Sequence, residues 1–117
     1  MSTFALNKNS TLKSQKEIEH LFMNGNKICD KLICLYFIKK PNGKVTFSVG
    51  KKTHHLAHKR NRIKRLMRGS FRLNWLDDSI SYNLLFVFIS KEIYNYSNIE
   101  NSIKSLIIRL NKNNQNV

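Results

Sequence analysis

The sequence predicts a single α+β domain, an α/β sandwich with element order αββαβα and a mixed sheet. Three observations lead there. Helical and strand periodicities alternate along the chain in that order. Hydrophobic residues make up 41% of the 117 residues, enough for one core. No repeat, linker or low-complexity stretch divides the chain. The domain is expected to span residues 1–117, with an ordered core over about 12–111 and a polar tail over 112–117.

The first helix is expected at about 16–24. Ser14 followed by Glu17 has the spacing of a capping box, in which each side chain satisfies a free N–H of the first turn. Ile18, Leu21 and Phe22 share one face, and Gly25 suits a left-handed stop. Residues 32–40 (LICLYFIKK) are rich in β-formers and predict a strand. Pro41, Asn42 and Gly43 make a turn. Over residues 44–50, Val45, Phe47 and Val49 alternate with Thr46, Ser48 and Gly50. The two strands are expected to pair as an antiparallel hairpin with one packed face.

A long helix follows over about 56–75. At about 100° per residue, Ile63, Leu66, Met67, Ser70 and Asn74 gather on one side. Asn61, Arg65, Arg68 and Arg72 gather nearly opposite, with Arg60, Arg62 and Lys64 at the margins. Phe71 and Trp75 are assigned to packing. Residues 83–90 (NLLFVFIS) are almost wholly apolar, as a central strand covered on both faces would be. Ser97 and Glu100 suggest a second capping box, and Ile99, Ile103, Leu106, Ile107 and Leu110 form the buried stripe of a last helix.

Charge carries the functional signal. The chain has 21 Lys plus Arg against 7 Asp plus Glu, a formal net charge of +14. That excess strains a compact state by self-repulsion, and a polyanionic partner relieves it. No acid occurs between Asp30 and Asp77. Residues 51–72 hold nine Lys or Arg and no Asp or Glu, whereas solvated helix faces ordinarily mix both signs. A helix of this kind lays cations along a phosphate backbone and gains affinity from released counterions. Arginine adds forked contacts to phosphate and stacks on unpaired bases.

At this stretch the sequence resembles the bacterial ribonuclease P protein component family. KRNRIKRLMRGSFR, residues 59–72, looks like the family signature, and the preceding VGKK, residues 49–52, has the matching spacing. A weaker likeness extends over residues 12–110. The resemblance implies a ribosomal-protein-S5-domain-2-like fold and an RNA partner that performs the cleavage with bound magnesium. The protein itself would hold no cofactor or metal and have no active site of its own. By the same resemblance Arg60, Asn61, Arg62, Lys64, Arg65 and Arg68 face the catalytic RNA, and Arg72 extends that face. A cleft holding the single-stranded 5′ leader of precursor tRNA would be lined by Phe22, Tyr36, Lys51 and Lys52. Two positions depart from the family pattern. Ile18 stands where an aromatic is frequent, and Gly69 where an acid is usual.

Other readings are weaker. By residue pattern alone, Phe22 and Tyr36 fit a core better than a cleft. His54 and His58 with Cys29 and Cys34 match no familiar zinc spacing, and the histidines are expected to face RNA or solvent. Asp77 and Asp78 fit a solvated turn better than a metal site. No nucleophile–base arrangement is evident. A non-catalytic RNA-binding module is the main alternative. A basic helix flanked by strands argues against a helix-turn-helix protein, and DNA is not expected as a partner. Apolar runs are too short to cross a bilayer, and MSTFALNKNS lacks a secretion signal. The expected setting is the cytoplasm, with reduced cysteines and no membrane contact.

Overall fold

The computed structural model describes residues 11–50, 53–75, 80–92 and 95–115. Among them the order is α1 (Gln15–Asn24), β1 (Asn26–Cys29), β2 (Ile33–Lys39), β3 (Val45–Val49), α2 (Ala57–Asn74), β4 (Tyr82–Phe88) and α3 (Tyr96–Gln115). The α+β class and the expected elements are present, with one more strand, β1, between α1 and β2.

The sheet order is β1-β2-β4-β3. The most apolar strand, β4, therefore has a neighbour on each edge and cover on each face. Leu84, Phe86 and Phe88 point into the larger core, while Leu85 belongs to a smaller cluster with Leu12 and Leu21. Helices α2 and α3 pack against each other over the larger core, and α1 covers part of the other face. Phe71 of α2 is wholly buried, with ring centroids at 5.9 Å from Phe47, 5.7 Å from Phe86 and 5.2 Å from Trp75. Burying one such side chain is worth roughly 2–3 kcal/mol, so this aromatic group fixes which side of α2 faces inward.

The expected pairing of the strands over 32–40 and 44–50 does not occur. β4 lies between them, antiparallel to β2 and parallel to β3. Alternation states which face a strand buries but not which strand lies beside it. The turn at Pro41 and Asn42 instead carries the chain across the start of β4. Gly43 donates its N–H to Ile80 O at 2.7 Å, and a Cβ there would lie 1.8 Å from Tyr82 O. A side chain cannot be accommodated at that crossing. The antiparallel hairpin of the fold joins β1 to β2. Its turn is shaped by Asp30, whose Oδ1 accepts from Leu32 N (2.8 Å) and Ile33 N (2.9 Å). Asp30 Oδ2 accepts from Ser102 Oγ at 2.6 Å and ties the turn to α3.

Three local expectations are corrected. Gly25 is extended (φ −74°, ψ 157°), not left-handed; a Cβ there would lie 2.5 Å from Leu21 O, so close approach explains the glycine. Helix α3 is capped by Asn95, whose Oδ1 accepts from Asn98 N at 3.0 Å, and Ser97 lies inside the helix. Cys29 and Cys34, expected reduced, are joined as a disulfide; they are directly opposed in the β1–β2 ladder, a register invisible without β1. The cap of α1 is as expected in part. Ser14 Oγ accepts from Glu17 N at 3.4 Å, but the Glu17 carboxylate turns to Lys40 Nζ, 2.9 Å away.

Candidate RNA interface

Helix α2 separates its residues by chemistry. Ile63, Met67, Ser70 and Phe71 are buried, and Leu66 and Asn74 are half-buried. Asn61, Arg62, Arg65, Arg68 and Arg72 are exposed, and Lys64 is half-buried at the margin. No carboxylate of the described residues lies within ion-pair distance of Arg62, Lys64, Arg65 or Arg68. The Arg68 guanidinium stands 6.0 Å from the Phe47 ring, at the border between α2 and the sheet. Arg60 differs from the rest. It is half-buried, and its Nη1 donates to the carbonyl oxygens of His54 (2.9 Å) and His55 (2.8 Å).

A second surface lies on the sheet face that α1 only partly covers. The ladders align Thr46, Leu85, Tyr36 and Lys27 in one row across the four strands, and Ser48, Val87, Cys34 and Cys29 in the next. Thr46, Ser48, Val87 and Tyr36 are half-buried. Phe22 is 47% exposed, and its ring centroid stands 4.9 Å from that of Tyr36 at an interplanar angle of 57°. Lys27 Nζ lies 5.6 Å from the centre of the Tyr36 ring. Phe22 is thus outside the core, and Tyr36 sits at the edge of the small cluster under α1. Aromatic planes beside cations suit unpaired bases, which stack without sequence readout.

The two surfaces are neighbours. β3 is an edge strand, α2 packs on it from one side, and Thr46 and Ser48 face the other. A nucleic acid lying on α2 that passes the β3 edge meets this face at Thr46 and Ser48, and Tyr36 lies beyond β4 on the same face. Sequence reasoning missed Lys27, Thr46, Ser48 and Val87, because their grouping depends on strand order. Lys51 and Lys52 lie outside the described residues, as do Asp77 and Asp78.

Histidine placement departs from expectation at one position. His55 and His58 are exposed, but His54 is 6% exposed, with Nε2 at 2.9 Å from Ser90 O. Among the described residues no group of three or more His, Cys, Asp or Glu could hold a metal ion. No helix among the described residues is long and apolar enough to cross a membrane.

Fold and surface together define a small RNA-binding protein, with a cationic helix and an aromatic-bearing sheet face on one α+β scaffold. The chain matches the Ribonuclease P family over residues 6–111. It is 30% identical over 108 residues to the ribonuclease P protein component of Clostridioides difficile (strain 630), covering 88% of this chain and 93% of that one. It is 31% identical over 105 residues to that of Clostridium botulinum (strain Langeland), covering 86% and 93%. A shorter match, 38% identical over 66 residues, is to the component of Lactobacillus helveticus and covers 54% of each chain. Among solved structures, the RNase P protein of Thermotoga maritima superposes with a TM-score of 0.72 at 18% identity, covering 85% of this chain and 96% of that one. That of Staphylococcus aureus gives 0.71 at 18% identity, covering 86% and 94%. The chain belongs to the ribonuclease P protein component family. Its role is that of the protein subunit in the ribonucleoprotein that matures the 5′ end of tRNA, and its partner is the ribonuclease P RNA.

Proposed function

We propose that the outer face of α2 docks on the catalytic RNA, through Asn61, Arg62, Lys64, Arg65, Arg68 and Arg72. The open sheet face, with Phe22, Tyr36 and Lys27, receives the 5′ leader of precursor tRNA. One observation carries this reading: Arg62, Arg65 and Arg68 stand exposed with no carboxylate of the described residues beside them, while Ile63, Met67, Ser70 and Phe71 of the same helix are buried. Long cations held apart from acids on a rigid helix are ready to meet phosphate without breaking internal pairs first.

The protein's contribution is electrostatic and positional. Cations on α2 screen the repulsion between the catalytic RNA and its precursor substrate. Contacts to the leader exist for the precursor and vanish for the mature product, so they add affinity where cleavage is still to happen. The RNA performs the cleavage and holds the magnesium that the family implies. The setting is the cytoplasm.

Reconstitution tests this. With a bacterial ribonuclease P RNA at low magnesium, precursor tRNA cleavage is expected to be faster with the protein than without. An unchanged rate overturns the proposal. Arg65→Gln is expected to lower the slope of log affinity against log salt for the catalytic RNA by about 0.7–0.9, the share of one phosphate contact. A general RNA-binding module would instead bind precursor and mature tRNA equally in the presence of that RNA.

A further inference from the structure

Arg60 belongs to the motif expected to meet RNA, yet its guanidinium is turned back on the protein. Nη1 donates to the carbonyls of both His54 and His55. These residues form the end of the connection from β3 into α2. The helix begins after Leu56, which offers no side-chain cap, and its first turn holds no acid. The entry is therefore not fixed by the usual device of a Ser, Thr, Asp or Asn oxygen. The Arg60 clamp, reaching back from inside the first turn, holds the entry by its carbonyls instead, leaving the first-turn N–H groups uncapped by it.

The same connection is held at a second point. The His54 ring is buried 5.8 Å from Phe88, with Nε2 against Ser90 O just past β4. Its backbone N–H donates to Gly50 O at 3.0 Å. Residue 54 thus links three places: the end of β3 through its N–H, the end of β4 through its ring, and α2 through its carbonyl. Of these bonds, the ones from the Arg60 guanidinium are charge-assisted and so stronger than neutral ones.

We infer that Arg60 and His54 are positioning residues. Together they lock the β3–α2 connection to the end of β4 and set the direction in which α2 presents Arg62, Lys64 and Arg65 to the catalytic RNA. The inference rests on the reading of α2's outer face as the RNA face. A pre-set face binds without first ordering itself, so loosening the latch lowers affinity while leaving the number of phosphate contacts unchanged. A direct phosphate contact through Arg60 Nη1 would have to release two backbone carbonyls, one of them in a part-buried setting.

A salt titration of full-length protein binding to the catalytic RNA separates the two roles. Arg65→Gln serves as the phosphate-contact control. Arg60→Gln and His54→Phe are each expected to weaken binding roughly five- to tenfold, with slopes within about 0.3 of wild type. The double variant is expected to lose less than the product of the two, since both act through one connection. A slope change for Arg60→Gln as large as that of Arg65→Gln overturns the inference, and so does a fully multiplicative double variant. Arg60→Lys keeps the charge and loses the fork. It is expected to bind two- to fivefold more weakly, whereas wild-type affinity would mark Arg60 as a simple phosphate contact.

Amide hydrogen exchange in the free protein is the second readout. The latch variants are expected to speed exchange at the His54, Lys59 and Arg60 amides while leaving that of β4 unchanged. Protection equal to wild type overturns the latch whatever the RNA data show. If Arg65→Gln leaves the slope unchanged while exchange responds as described, it is the RNA-face reading that fails.

Discussion

Ser70 lies wholly buried on the packed side of α2, and its Oγ has no hydrogen-bond partner among the described residues. A buried hydroxyl left unpaired costs about 1–3 kcal/mol, while alanine keeps nearly the same volume. Ser70→Ala is therefore expected to leave stability unchanged or raise it by up to about 2 kcal/mol, read as a higher urea midpoint at constant slope. Gly69 gives a parallel case one residue earlier. A Cβ there would meet nothing within 4 Å, and glycine inside a helix is worth about 0.5–1 kcal/mol less than alanine. Gly69→Ala is expected to raise the melting temperature by a few degrees, and no gain would mean a contact that the geometry does not include. The exposed column from Asn61 to Arg72 was legible in the sequence because helical periodicity alone places it. The roles of Arg60 and His54 were not, because their partners are backbone carbonyls, which no side-chain pattern encodes.

At the scale of elements, α1 is joined to the end of β2 by the exposed pair Glu17–Lys40. The hydrogen bond from Lys40, with smaller contributions from the charge of Lys40 and Lys44 and from Asn83, holds the Glu17 carboxyl below its ordinary value of 4.5. A folded-state value below the unfolded one stabilises the fold above about pH 4.5 and is lost as pH falls through the lowered value. Because both side chains are exposed, the contribution is at most about 1 kcal/mol. Glu17→Gln is expected to unfold at slightly lower denaturant than wild type near neutral pH, with the difference fading as pH falls below 4.5 and gone once the lowered value has been passed. A constant difference at all pH values would place the effect in packing. Elements of strong period, α2, β4 and α3, were legible because their burial pattern is internal to each. β1 was not: its four residues, NKIC, show only one buried side chain, and β2 and α3 stabilise it from outside. The mistaken hairpin has the same origin, since β4's insertion between β2 and β3 satisfies a two-sided apolar strand remote in sequence.

The whole molecule sets two chemically different surfaces on opposite sides of one edge strand. α2 offers cations to a phosphate backbone, and the open sheet face offers ring planes with a nearby ammonium group. Their energetics respond to different variables. Backbone contacts depend steeply on salt and little on sequence, so on the proposed reading those on α2 would govern assembly with the catalytic RNA. Stacking depends weakly on salt and only on whether unpaired bases are present, so on the proposed reading Phe22 and Tyr36 would govern which tRNA is held. Phe22→Ala removes a half-exposed ring whose loss opens no cavity in the core, whereas Tyr36 also packs against the cluster under α1. Phe22→Ala is therefore the cleaner probe. With the catalytic RNA present, it is expected to reduce the preference for precursor over mature tRNA roughly tenfold, the worth of about one stacked base. Affinity for the catalytic RNA alone and its salt slope are expected to stay at wild-type values. Equal losses for precursor tRNA and catalytic RNA would mean that the two surfaces act as one, and that the β3 edge does not divide their work.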